Sequence, residues 1–321
     1  MSSTSTSTRS HSGAAAEEPA RTAVRGRTHG RSARRLASLS SYLYLLPALI
    51  LVVGVIHVGI VSNVLYSTLD WNGITPNGTP VGPGNYLRLL GDPTFWSALR
   101  NTFVFAAATI ALQMVFGFLL AVLVRTRTAL RGLLRTLAFV PVVLAPAVVA
   151  TSFRFLLTPD GAINQVLSAV TGQHVDQAWL ADPATALTAI ILINVWQFTG
   201  YSFLIYDAAM GQIDPSVIEA GLIDGASTGQ MLRRIVAPLL SGSHLVLIVL
   251  GVISSLKTFD LVYLTTAGGP GTSTQVITGY IYKQVIQQFH AGYGAALSVA
   301  LVAIALVFSI LQVRLSTREA R

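Results

Sequence analysis

At 321 residues, 52% hydrophobic and only 11% charged, with a mean hydropathy of +0.63, the chain is too apolar for a soluble domain, in which about 25% of residues carry charge. It has no cysteine, which excludes a disulfide framework, a thiolate metal site and a cysteine nucleophile. The formal net charge of +8 would suit nucleic acid, but the placement of the basic residues points to a membrane surface and argues against a nucleic-acid partner.

Residues 1–41 are rich in Ser, Thr, Arg and Ala and hold few large apolar side chains. Such a segment cannot offset the entropy of ordering, so a disordered basic tail is expected. It does not read as a secretory signal, because the apolar run behind it is too long for an h-region.

A helix needs roughly 20 apolar residues to cross the hydrocarbon core. Six segments qualify within a membrane domain at 42–313: Tyr42–Tyr66, Asn101–Val124, Thr136–Leu157, Ala184–Tyr206, Leu239–Leu264 and Ala291–Val313. The second is free of charge. The third carries Arg154 near its end, and the first holds a lone His57, expected to be structural. The fifth carries Lys257 and Asp260, whose i, i+3 spacing predicts an ion pair on one helix face.

With the N-terminus inside, sixteen Arg fall on inner segments: seven in the tail, Arg125, Arg127, Arg131 and Arg135, then Arg233 and Arg234, then Arg314, Arg318 and Arg321. Outer loops hold only Arg88, Arg100 and Lys283. This asymmetry predicts six spans with both ends, including the short tail 314–321, in the cytoplasm. The basic N-terminal tail is then a topology anchor beside anionic lipid.

The inner segment 207–238 has internal order. Asp214-Pro215 is a helix start, with a capping side chain and Pro at N1. Val217, Ile218, Leu222 and Ile223 follow at helical spacing. Gly225 breaks the run, and Ser227 with Gln230 forms a capping box for a second helix. Pro238 then opens the fifth span. The composition alone supports an interfacial helix pair that merely joins two spans.

The full stretch EAGLIDGASTGQMLRRIVAPLL, Glu219 to Leu240, resembles the EAA loop of ATP-binding cassette (ABC) importer permeases. Their pattern is Glu-Ala-Ala, three residues, Gly, nine residues, Ile, one residue, Leu-Pro. Glu219, Ala220, Gly225, Ile235 and Pro238 match it; Gly221 replaces an Ala and Ala237 a Leu. The stretches Gly82–Thr102, Phe155–Leu167, Phe259–Tyr282 and Gly292–Leu301 are similar to segments of sugar permeases of the maltose F-type or glycerol-phosphate A-type.

The resemblance implies an all-α integral membrane fold of the type I importer class. It implies a second permease subunit as heterodimer partner, wrapped by span one, a cytoplasmic ATPase dimer, an extracytoplasmic solute-binding lipoprotein and a carbohydrate substrate. The loop, with Asp224 inside it, would dock on the ATPase. Glu219 would meet a basic group there and Gly225 would make the turn. ATP and Mg would sit on the partner ATPase, with no cofactor on this chain.

Span four offers Asn194, Trp196, Gln197, Phe198, Tyr201 and Ser202 in a charge-free helix, and intramembrane polar groups line bundle interiors or aqueous paths. In the maltose relative, the positions matching Asn194 and Tyr201 contact sugar, while Phe198 stands where it has Gly. Ser255 and Thr258 add polar groups in span five. The same residue types also hold membrane helices together.

Enzyme readings lack parts: there is no GxxxxGK[ST] and no HExxH, and the GxSxG match at Gly225–Gly229 falls in the turn capped by Ser227 rather than after a strand. An ion-coupled transporter would show inverted repeats and ionisable groups at mid-depth. It remains the alternative, together with an importer permease for a non-sugar solute.

Overall fold

The computed structural model describes residues 44–126 and 131–319. The expected tail, 1–41, and Arg127 lie outside them. The chain divides into two units, Met1–Val58 and Gly59–Arg321. The first apolar helix, α1, is Tyr44–Tyr66. Its backbone widens to a π turn over Val52–His57, where the His57 Nδ1 lies 3.2 Å from the Val52 carbonyl.

In the second unit a two-residue hairpin, β1 (Leu69–Asp70) and β2 (Thr79–Pro80), precedes α2 (Gly84–Leu90). Then follow α3 (Pro93–Thr126), α4 (Arg131–Val143), α5 (Pro146–Leu156), α6 (Ala162–Thr171) and α7 (Ala186–Met210). The remainder is α8 (Pro215–Ile223), α9 (Thr228–Leu239), α10 (Ser241–Leu256), α11 (Asp260–Thr266), α12 (Ile277–Tyr282) and α13 (Ala291–Glu319).

Among the described residues four helices, α1, α3, α7 and α13, are each long and apolar enough to cross a bilayer, and two bent pairs raise the number to six if each counts as one span. The third and fifth expected spans are therefore not straight. In the third, α4 meets α5 at 95°. Pro146 forces the preceding Ala145 out of the helical basin, to φ −61° and ψ 133°, and then starts α5 at N1. In the fifth, α9 meets α10 at 67°. Pro238 does not open this span: it lies within α9, just beyond the widened turn Met231–Val236, and the bend falls at Leu240.

The fifth span also ends early. Lys257 caps the C-terminus of α10 and Asp260 begins α11, so the helix breaks between them. The expected Lys257–Asp260 ion pair is absent among the described residues. Each charge sits instead at the helix end that favours its sign. Arg154, on α5, is exposed and lines an open cleft with Thr158, Pro159, Gly269 and Pro270.

α7 is the centre of the packing, with α3 along one side and α4 across another. Small residues permit both approaches. A Cβ at Gly117 would stand 2.7 Å from that of Ser202, and one at Gly200 would fall 1.9 Å from the Ala138 carbonyl oxygen. One apolar cluster gathers Phe105, Ile190, Ile193 and Val262, and a second gathers Ala121, Phe203, Tyr206 and Val236 toward the α8–α9 end. A third ties α2 to α12 and α13 through Leu89, Ile277 and Leu297.

Beside this third cluster Asp92 accepts hydrogen bonds from the Tyr280 hydroxyl, from the Tyr293 hydroxyl at 2.6 Å and from the Thr94 amide at 2.8 Å. Burial works against its charge, but these bonds prevail and hold the carboxyl below its ordinary range.

Candidate functional site

A cavity of about 210 Å³ opens where α3, α7 and α10 converge. α7 contributes Asn194, Gln197, Phe198, Tyr201 and Ser202. α10 and the break after it contribute Ser254, Ser255, Lys257 and Thr258. Seven of the eight side chains singled out in the sequence thus line one cavity.

Trp196 does not. A helix turns about 100° per residue, so a side chain two positions after Asn194 points away from it. Trp196 packs edge-on against Phe153 at 5.2 Å and lines apolar grooves with Leu192 on the other side of α7.

The cavity includes two charges, Lys257 and Asp260, and an amide that the sequence reading passed over. Gln113 sits in the middle of α3, and its Nε2 donates to the Asn194 Oδ1 at 2.9 Å. The signal was available: a lone amide within a charge-free span needs a partner, because an unpaired polar group in hydrocarbon is costly.

The α8–α9 pair forms as its capping residues dictate. The Asp214 side chain accepts from the Ser216 amide at 2.9 Å, with Pro215 at N1. Ser227 and Gln230 exchange both bonds of the capping box. Gly225 takes φ +75°, where only glycine is unstrained. Gly221 is buried where the two helices are closest. A Cβ there would meet Met231 Cε at 2.8 Å and Ile235 Cδ1 at 2.9 Å, so the small residue accommodates the longer side chains opposite.

Glu219 lies past the first turn of α8, which excludes a helix-dipole role for it. It is exposed and has no hydrogen-bond or ion-pair partner among the described residues. Ala220, Leu222, Ile223 and Asp224 are exposed beside it.

One polar link ties this pair to α7. The Tyr206 hydroxyl lies 2.7 Å from His244 Nδ1, and His244 Nε2 lies 3.1 Å from the Ala237 carbonyl. A carbonyl only accepts, so Nε2 carries the proton and Nδ1 accepts from tyrosine.

A second polar cluster, which ties α7 to α3 and α4, centres on Asp207, buried in the last turns of α7, which run past the expected end at Tyr206. Its carboxylate pairs with Arg125 at 3.2 Å, with Arg131 at 3.7 Å and with Arg135. Arg125 also donates to its backbone carbonyl. Three of the arginines counted as topology markers therefore converge on one carboxylate.

Straight and bent apolar helices, a polar cavity between them and a capped helix pair at one end define a polytopic membrane transport protein. The sequence matches the family described as binding-protein-dependent transport system inner membrane component over residues 113–321. The chain belongs to this family, as a non-catalytic permease subunit.

A protein of Pyrococcus horikoshii named as a probable ABC transporter permease is 35% identical, covering 83% of this chain and 91% of that one. The lactose transport system permease protein LacF of Rhizobium radiobacter is 30% identical over 89% of this chain and 96% of its own. A crystal structure of a bacterial ABC transporter importing the acidic polysaccharide alginate superposes with a TM-score of 0.78. It covers 91% of this chain and 100% of that one at 23% identity, a likeness of fold.

Proposed function

We propose that this chain is the membrane-spanning subunit of an ABC importer that carries a sugar or related polyol. It pairs with a second permease subunit, against which the exposed apolar face of α1 packs. A loaded extracytoplasmic binding protein docks on the outer loops, and a cytoplasmic ATPase dimer, which holds ATP and Mg, docks on α8 and α9. Both termini are cytoplasmic.

The observation that carries this reading is the α8–α9 elbow, whose exposed carboxylate Glu219 stands on a pair of helices held together at Gly221. The link through Tyr206, His244 and the Ala237 carbonyl joins that elbow to the helix that lines the cavity. Closure of the ATPase would pass through Glu219–Pro238 as near-rigid motion to α7 and α10, opening the cavity to alternate sides. Sugar as the cargo is supported by the names of relatives, among them the trehalose/maltose permease of Thermococcus litoralis, 29% identical over 85% of this chain. It is supported also by the cavity, whose amides and hydroxyls match what hydroxyl-rich solutes require.

Glu219→Lys tests the coupling. The variant is expected to lose the ATPase on purification, or to retain it without import. Normal import with the ATPase still bound would overturn the assignment. Orientation is open to direct test because the chain has no cysteine. A thiol reagent that cannot cross the membrane should label Asn77→Cys from outside and Gly229→Cys only from inside; the reverse pattern refutes the topology.

A further inference from the structure

The polarity of the cavity amides can be worked out from the carbonyls they face. The Gln113 Nε2 lies 3.3 Å from the backbone oxygen of Asn194. A backbone oxygen only accepts, so the Gln113 atom directed at Asn194 is its nitrogen. That same nitrogen meets the Asn194 side chain at 2.9 Å, so the atom it meets is oxygen. The Asn194 NH2 is thereby turned away from α3.

Gln197 is fixed in the same manner. Its Nε2 donates to the Leu144 carbonyl at 2.9 Å, at the bend between α4 and α5. Its Oε1 is buried and has no partner among the described residues, at a position where Gln197 lines the cavity. A buried acceptor without a donor is costly, which marks the place for a donor arriving with a solute.

We infer that Gln113 is a positioning residue that sets the hydrogen-bond polarity of the cavity, making Asn194 a donor and leaving Gln197 an acceptor toward the transported solute. This rests on the reading of the cavity as the solute path and deepens it. Asn194 and Gln197 are three residues apart on one helix face, about 5–6 Å between Cβ atoms. Side by side, a donor and an acceptor recognise a solute that presents an acceptor and a donor on neighbouring atoms. A vicinal diol of a sugar ring or polyol does so.

The test uses the whole importer, with its ATPase, second permease and binding protein, reconstituted in proteoliposomes. The probe is a radiolabelled sugar chosen from glucose, maltose, trehalose and lactose by uptake in the unmodified complex. The readout is sugar imported per ATP hydrolysed, compared for Gln113→Met, Asn194→Ala and the double variant.

Loss of one buried hydrogen bond corresponds to a fall of about tenfold. Each single variant is expected to show it, and the double variant is expected to fall no further than Asn194→Ala, because Gln113 acts through Asn194. A residue that merely glues α3 to α7 would lower uptake and ATP hydrolysis together and would compound the loss in the double variant, and that result overturns the proposal. So does an unchanged ratio in Gln113→Met beside a lowered one in Asn194→Ala, which leaves the cavity as solute path intact. An unchanged ratio in Asn194→Ala sinks the cavity reading itself. Should Gln113→Met not assemble, Gln113→Leu is measured in its place; failure of both while Asn194→Ala assembles assigns Gln113 to folding and refutes the inference.

Discussion

Replacing Asp207 by Ala should destabilise the protein more than any other single loss of charge. The Asp207 side chain is 5% exposed and faces three guanidinium groups, from Arg125, Arg131 and Arg135, which are 31%, 42% and 40% exposed. Removing one partner of a fully buried ion pair costs about 3–5 kcal/mol. Here water reaches the cations and screens part of their mutual repulsion, so about 2–3 kcal/mol is expected. For a chain of this size that corresponds to roughly 3–5 °C in the thermal midpoint, measured in detergent by differential scanning fluorimetry. The bond from Arg125 to the backbone carbonyl of residue 207 survives the substitution, which limits the loss. The arginines should rank by geometry: Arg131→Ala, at 3.7 Å and the most exposed, should cost less than about 1 kcal/mol, and Arg135→Ala more. A wild-type midpoint for Asp207→Ala, or equal costs for Arg131 and Arg135, would refute the reasoning.

Gly200→Ala places a methyl 1.9 Å from the Ala138 carbonyl oxygen, so α4 and α7 cannot both keep their positions; the yield of folded protein on size exclusion should collapse. Gly225→Ala meets no atom within 4 Å and carries only the left-handed backbone cost, about 1 kcal/mol, read as a small drop in thermal midpoint. Ser227→Ala, which breaks the capping box, should cost about 1 kcal/mol by the same measurement. Asp92 has its folded-state pKa depressed, so its stabilising contribution is full above the unfolded value of about 4 and is lost as pH falls through the folded value. Thermal midpoints of wild type and Asp92→Asn should therefore converge on acidification below about pH 4; a constant difference between them would contradict this.

Much of this architecture was legible in the sequence wherever a local rule governs it. Hydropathy located α1, α3, α7 and α13, and the caps at Asp214 and Ser227 with the turn at Gly225 placed the elbow. The sequence reading grouped Trp196 with Asn194, Gln197, Phe198 and Tyr201, although the helical turn of about 100° per residue already sets it, two positions after Asn194, on the opposite face. The bends were less visible because a hydropathy window averages over them. Pro146 carried the signal for one, and Leu240 shows none in its own identity. Asp207 escaped notice because its significance depends on arginines 72 to 82 positions away, a proximity created only when α3, α4 and α7 pack. Gln113 was hidden for the same reason: its partner lies 81 residues distant.

The bond from Gln197 to the Leu144 carbonyl bears on how this protein can diversify. One carboxamide serves at once as mortar for a bend and as part of the wall of the cavity proposed as the solute path. A substitution there that alters which solute passes also strips a carbonyl of its donor where α4 turns into α5. Tyr201, by contrast, is 43% exposed and anchors no such joint. New cargo preferences should therefore arise by changes at Tyr201 and Phe198, with Gln197 held constant until some other donor is recruited to the bend.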